Sequence, residues 1–140
     1  MTKDDLVYMA GIIDGEGCIT SSGVNSRGNG RVWLSIVNTD MRLMSWIQST
    51  FGGSICERKH QPGRKIAYQW TLTGVKQQEL LGQIIPYLKL KRGQASLAIA
   101  MPIVPPGTAL DANSKQLRLA LCTMIRELNQ GRVTYTKAWE

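Results

Sequence analysis

Two carboxylates and three glycines crowd the end of one short apolar stretch, Tyr8-Met9-Ala10-Gly11-Ile12-Ile13-Asp14-Gly15-Glu16-Gly17. Core packing does not ask for that composition. Gly11 and Gly15 stand four residues apart and share a helix face. A face without side chains lets a second backbone come very close, and Ala10 beside it is nearly as small. Gly15 and Gly17 are expected to stop the helix near Asp14. Glu16 is then left at the mouth of whatever two such helices form when they pack together. A carboxylate at a helix C-terminus is disfavoured by the helix dipole. A divalent cation would relieve it, and hard cations prefer oxygen ligands.

Other chemistries are poorly supplied. Cys18, Cys56 and Cys122 are scattered, no CxxC pair exists, and His60 is the single histidine, so the chain lacks a zinc-ligand pattern. A Ser-His-Asp or Cys-His nucleophile would need His60, which sits in the polar segment Arg58-Lys59-His60-Gln61-Pro62-Gly63 and reads as a solvated or ligand-facing loop residue. Unpaired thiols suit a reducing interior. The N-terminus Met1-Thr2-Lys3-Asp4-Asp5 is mixed in charge, unlike a signal peptide. No apolar run approaches the roughly 18 residues that span a membrane. The expected location is intracellular (a bacterial or phage-infected cytoplasm or nucleoid, or an organelle), not secreted. Lys plus Arg is 17 against 10 Asp plus Glu, a net charge of +7 with a pI of 9.6. That balance favours a polyanionic partner, most simply nucleic acid.

The elements that must position Glu16 follow from periodicity. The 140 residues suffice for one domain with a real core. Thr2 and Asp5 form a capping pattern for the first helix. Cys18 to about Ser22 reads as a strand, Gly23 to Gly30 as a glycine-rich loop, and Arg31–Asn38 as a second strand with Val32, Leu34 and Ile36 on one face. Met41, Met44, Ile47 and Phe51 recur at helical spacing between Thr39-Asp40 and Gly52-Gly53. Ser54 to Lys59 and Lys65 to Thr73 read as strands around the Pro62-Gly63 turn. A third helix runs from about Val75 to Ile85 and is bent or ended by Pro86, a fourth from Lys91 to Ala100. After a Pro/Gly-rich linker, Ser114 can cap a last helix with Leu117, Leu121, Met124 and Leu128 on its stripe. No internal repeat is present.

The stretch Met9–Gly17 resembles the LAGLIDADG motif of homing endonucleases, with Gly in place of the second Ala and Glu in place of the last Asp. Two further segments carry the resemblance: Asn38-Thr39-Asp40 followed by Phe51-Gly52-Gly53, and Pro86-Tyr87-Leu88-Lys89-Leu90-Lys91 with Gln94-Ala95. It covers about Leu6 to Ala95. It implies an α+β, αββαββα fold with a four-stranded antiparallel DNA-binding sheet and extra C-terminal helices: a core over 1–101 and a helical extension over 102–140 packed on it, one domain overall.

The resemblance also implies function. With a single motif the chain is similar to the homodimeric branch, in which Ala10, Gly11, Asp14 and Gly15 would lie at the dimer interface. Glu16, with the Gly15 carbonyl, would bind Mg²⁺ (Mn²⁺ substituting, Ca²⁺ supporting binding without cleavage); no organic cofactor is implied. Glu16, Lys91 and Asp40 would be the catalytic groups. The activity implied is site-specific cutting of a long, near-palindromic duplex, leaving short 3′ overhangs. By alternation, the open sheet face would present Thr20, Ser22, Arg31, Trp33 and Ser35, with Ser54, Cys56, Arg58, Lys65 and Gln69 from the second strand pair. Arg and Gln on such a ribbon suit guanine and adenine edges in a major groove. Asn25, Arg27, Lys59 and Arg64 would meet phosphates and outer bases. Two other readings compete: a LAGLIDADG-fold binder of RNA or DNA that does not cut, and a generic basic scaffold.

Overall fold

The computed structural model describes residues 1–22, 30–59, 61–104 and 107–131. The first helix, α1 (Lys3–Glu16), starts at a capping box: the Thr2 hydroxyl accepts from the Asp5 N–H at 3.1 Å, and the Thr2 N–H donates back to the Asp5 carboxylate at 3.0 Å. It runs two residues past Asp14, so Gly15 does not break it. Strand β1 (Gly17–Ser22) begins at the very next residue. Gly17 makes that possible. Its backbone is extended, and its N–H donates to the carbonyls of Ile12 and Ile13. A Cβ on Gly17 would lie 2.7 Å from the Ile13 Cα and 2.8 Å from the Ile13 oxygen.

Strand β2 (Arg31–Asn38) returns antiparallel to β1, and helix α2 (Met41–Phe51) follows. Gly52 and Gly53, at φ 80° and 89°, turn the chain into strand β3 (Ser54–Glu57). Only glycine adopts that conformation cheaply, and the Trp70 indole uses the tightness of the turn by donating to the Gly52 carbonyl at 2.7 Å. Strand β4 (Tyr68–Leu72) completes a sheet of order β1-β2-β4-β3, antiparallel throughout. β3 and β4 are shorter than expected, although the Arg58 N–H still donates to the Ala67 carbonyl beyond the ladder. Helix α3 (Gly74–Ile84) passes into a 3₁₀ turn holding Pro86 and then into α4 (Arg92–Ile99).

The last helix, α5 (Ala112–Asn129), is capped by Asp111, which accepts from the Ser114 N–H at 2.7 Å; Ser114 is not the cap. Its buried stripe is Leu121, Cys122, Ile125 and Leu128, while Leu117 and Met124, expected inside, are about half exposed. This face packs on β1 and α4. The Ser21 hydroxyl donates to the Cys122 carbonyl at 2.8 Å, and the Asn129 amide donates to the Ile19 carbonyl at 2.7 Å.

One core joins these elements. Met9, Ala10 and Ile13 of α1, Leu34, Ile36 and Trp70 of the sheet, Met44, Ile47, Leu81 and Ile125 of the other helices, and Leu88 after the 3₁₀ turn are fully buried. Among the described residues, the helices therefore lie on one side of the sheet and none covers its other face, as an antiparallel sheet permits. Among the described residues, no helix is long and apolar enough to cross a membrane.

Candidate active site and nucleic-acid face

Glu16 is the last residue of α1 and is exposed. Register decides what stands beside it. Because Gly17 pairs with Ile36, the end of β2 reaches back past the helix terminus. The Asn38 amide nitrogen there donates to the Glu16 carboxylate at 2.9 Å. The other end of the same amide accepts from the Asp40 N–H at 2.8 Å, which fixes which way the group points. Asn38 is a functional candidate that the sequence reading passed over; its place at the strand-helix junction was the available signal.

Lys91 arrives from the opposite side. Its ammonium donates to the carbonyls of Ile13 and Asp14, each at 3.0 Å. Those oxygens belong to the last turn of α1, at the negative end of the helix dipole, and that of Ile13 also accepts from the Gly17 N–H. An ammonium has three N–H donors, and these two bonds use two of them. Asp14 completes the junction. Its carboxylate accepts the N–H groups of Lys89, Leu90 and Lys91 at 2.6, 3.1 and 3.1 Å.

Two placements correct the sequence reading of α1. Ala10 is fully buried in its own protomer and so cannot line a dimer interface. Asp14 faces the 89–91 segment and not a second α1, because a step of about 100° per residue carries it off the Gly11–Gly15 face. Gly11 and Gly15 are exposed, with open space where a Cβ would be. Val7 and Tyr8 are exposed on the same helix, and a shallow groove lined by Val7, Tyr8, Gly11, Ile12, Glu16 and Leu43 ends at the carboxylate. Tyr8 stacks edge-on against Trp46, with ring centroids 5.1 Å apart.

The Asp40 carboxylate is engaged at the start of α2. It caps α2 by accepting the Arg42 N–H at 2.9 Å, and the Arg42 guanidinium binds both its oxygens at 3.1 and 2.8 Å. That bidentate partner pulls the Asp40 pKa down from 3.8 to about 2. Its N–H orients the Asn38 amide that donates to Glu16.

The bare sheet face carries the residues alternation selected. Thr20 pairs with Trp33, and Ser22 with Arg31. Cys18, Ser35, Thr71 and Ser54 form one row across all four strands, and Val37, Gln69 and Cys56 another. Cys18, Val37 and Thr71 were missing from the expected set. Arg58, Lys59, Arg64 and Lys65 are exposed around a depression floored by Val37 and Ala67. The ladder puts Tyr68 opposite Asn38, so these cations lie at the Glu16 end of the sheet and Arg31 at the far end. Asn25, Arg27, His60 and the side chain of Ser22 lie outside what the structure describes. No group of three or more His, Cys, Asp or Glu that could hold a metal ion occurs among the described residues.

No curated protein matches the chain. Solved structures do. The homing endonuclease I-CvuI, in complex with the I-CreI target in the presence of magnesium with the DNA not cleaved, is 26% identical with a TM-score of 0.72, over 96% of this chain and 85% of that one. The archaeal intron-encoded homing endonuclease I-Vdi141I, complexed with DNA, shares the fold at 19% identity and a TM-score of 0.67, over 96% and 88%. The LAGLIDADG meganuclease I-AabMI, bound to uncleaved DNA, is 18% identical with a TM-score of 0.57; the match covers 94% of this chain and 50% of that one. Residues 9–94, more than half of the sequence, match the LAGLIDADG endonuclease family, and the chain belongs to it.

Proposed function

We propose that the protein is a site-specific DNA endonuclease that works as a homodimer. It would make a double-strand break with short 3′ overhangs in a long, near-palindromic site. The observation that carries this reading is the exposed Glu16 carboxylate at the tip of a glycine-faced helix, with Asn38 donating to it and Lys91 bound to the Ile13 and Asp14 carbonyls of the same last turn. One chain offers one such carboxylate, half of what a shared cation site near a dyad requires. The bare Gly11–Gly15 face is what a second α1 needs for close approach. That the chain matches half the length of I-AabMI supports the same arithmetic of two copies.

The residues fit a hard divalent cation. Glu16 and the Gly15 carbonyl are oxygen donors, exposed at the negative end of a helix. Mg²⁺ is the expected ion, with Mn²⁺ able to replace it and Ca²⁺ supporting binding alone; the presence of magnesium and calcium in two I-CvuI–DNA complexes supports the class. Once bound, the cation would supply positive charge to a pentacoordinate phosphate. Asn38 would hold the Glu16 carboxylate in one orientation. The remaining N–H of Lys91 would donate to the attacking water or to a phosphate oxygen. On the sheet, Arg58, Lys59, Arg64 and Lys65 would meet the base pairs and phosphates nearest the cut, and Arg31 those farther out.

The test is a cleavage selection on a randomised, near-palindromic duplex library, with wild type in Mg²⁺, wild type in EDTA, and Glu16→Gln in Mg²⁺. The expected result is a cut motif in the first arm alone, with Glu16→Gln still enriching the motif by binding. Enrichment without cutting in every arm would make the protein a DNA binder, and an absence of both cutting and enrichment would refute the proposal altogether.

A further inference from the structure

We infer that Asp14 is a positioning residue for Lys91; the inference rests on the endonuclease reading for its catalytic meaning but not for its geometry. Three consecutive backbone N–H groups, those of Lys89, Leu90 and Lys91, donate to the one Asp14 carboxylate. They lie between the 3₁₀ turn, which ends at Tyr87, and α4, which begins at Arg92. Neither helix holds them. The Lys91 ammonium then donates back to the carbonyls of Ile13 and Asp14. Five hydrogen bonds thus close a ring between two residues of α1 and three of the incoming segment.

The ring explains how a long, flexible lysine comes to rest at a fixed place. A lysine side chain loses much rotamer freedom when pinned, and a surface carbonyl pair alone competes poorly with water. The Asp14 carboxylate fixes the Lys91 backbone through charge-assisted bonds. From that anchor the ammonium spans back to the same turn of α1, two residues before Glu16. Leu88, fully buried, and Arg92, whose guanidinium donates to the Leu88 carbonyl at 3.0 Å, hold the two ends of the segment. Asp14 and Glu16 are therefore different kinds of carboxylate. Glu16 is open to a ligand, whereas Asp14 is fully engaged in setting the lysine beside it.

Asp14→Asn keeps the shape but swaps one acceptor oxygen for an N–H₂ group facing backbone N–H donors. It should release the 89–91 segment and with it the ammonium. Two arms test this. In the first, lysine acetylation is followed by mass spectrometry on the protein alone. Lys91 should react slowly in wild type and several-fold faster in Asp14→Asn, with Lys65 and Lys76 unchanged. In the second, single-turnover cleavage is measured for wild type, Asp14→Asn, Lys91→Met and the double variant. Misplacing a reacting group by about 1 Å can cost on the order of a hundredfold, so Asp14→Asn should slow cutting at least about tenfold while Ca²⁺-supported DNA affinity stays within about threefold. In the Lys91→Met background it should add nothing. Asp14→Glu, which retains both acceptor oxygens, should fall between wild type and Asp14→Asn, and serves as the variant if Asp14→Asn does not fold.

Unchanged Lys91 reactivity in the Asp14 variants overturns the inference whether or not the protein cuts DNA. Rate losses that multiply in the double variant overturn it too. Selective release of Lys91 in a protein whose wild type cuts nothing would uphold the positioning and refute the endonuclease reading.

Discussion

Gly15 and Gly17 are two residues apart, yet a methyl group added to each should act with opposite sign. At Gly17 the new Cβ would sit 2.7 Å from the Ile13 Cα and 2.8 Å from the Ile13 oxygen. Carbon atoms rest at about 3.5–4.0 Å, so the overlap is about 1 Å against backbone that cannot swing aside. The last turn of α1 must lift from β1 by about that distance or unwind, at a cost of about 1–3 kcal/mol. Glu16 lies inside the displaced turn, so a cleavage that depends on its position should slow on the order of a hundredfold. Gly15 is helical, and its Cβ would meet nothing within 4 Å. Alanine there should stabilise the protomer by about 0.5–1 kcal/mol by narrowing the unfolded ensemble. If a second α1 packs on that face, the same methyl group stands between the helices and weakens association. The assay is urea unfolding over a series of protein concentrations, since a dimer's stability depends on protomer concentration, with sedimentation to read the association itself. Gly17→Ala as stable as wild type would refute the packing argument. Gly15→Ala with undiminished association would refute the use of the bare face as a helix-helix seam.

Further predictions concern charge. The ionised form of Asp40 is held by Arg42 in the fold. Because its folded pKa lies below the unfolded value, the stabilisation is present above pH 3.8 and lost as pH falls toward about 2. Asp40→Asn, still a good helix cap, should therefore flatten the fall in melting temperature across that window, and an unchanged profile would show the Arg42 pair to be inert. Arg58→Ala or Lys65→Ala should weaken DNA binding and lower the slope of log affinity against log salt by about 1 each. A salt slope equal to that of wild type would remove those cations from the interface.

Much of this arrangement was legible in the sequence, and what was not has a common cause. The period-two pattern of β2 gave the right inward set, and the Gly52-Gly53 signal marked the right junction, because both are local. The sequence points to Asp40 and passes over Asn38, two residues away at the same strand-helix junction. Which one meets Glu16 depends on the Gly17–Ile36 register, a contact between distant parts of the chain. Half of the α5 stripe was misphased for a related reason, Leu121 and Leu128 being buried as expected. Leu117 and Met124 offer a second apolar row on the same helix, and only the position of β1 decides that Cys122 and Ile125 go inward instead. The true stripe and its decoy are equally helical.

The α1 helix shows why so few residues suffice to define this site. A turn of about 100° per residue sends its side chains in separate directions over one short span. Met9, Ala10 and Ile13 go into the core, Gly11 and Gly15 leave a bare outer face, Asp14 takes the 89–91 segment, and Glu16 is left at the tip. Each direction sets a different requirement: volume for the core, absence of volume for the face, acceptor oxygens for the segment, and free charge for the tip. The same logic explains why the motif tolerates Glu in place of Asp at its end. The tip has open space and a hydrogen-bond donor, Asn38, that can meet a longer side chain. At position 14 no such freedom exists, because three N–H groups must share one carboxylate at fixed distances. The two acidic residues look interchangeable in the sequence, but only the one at the tip can change length without moving Lys91.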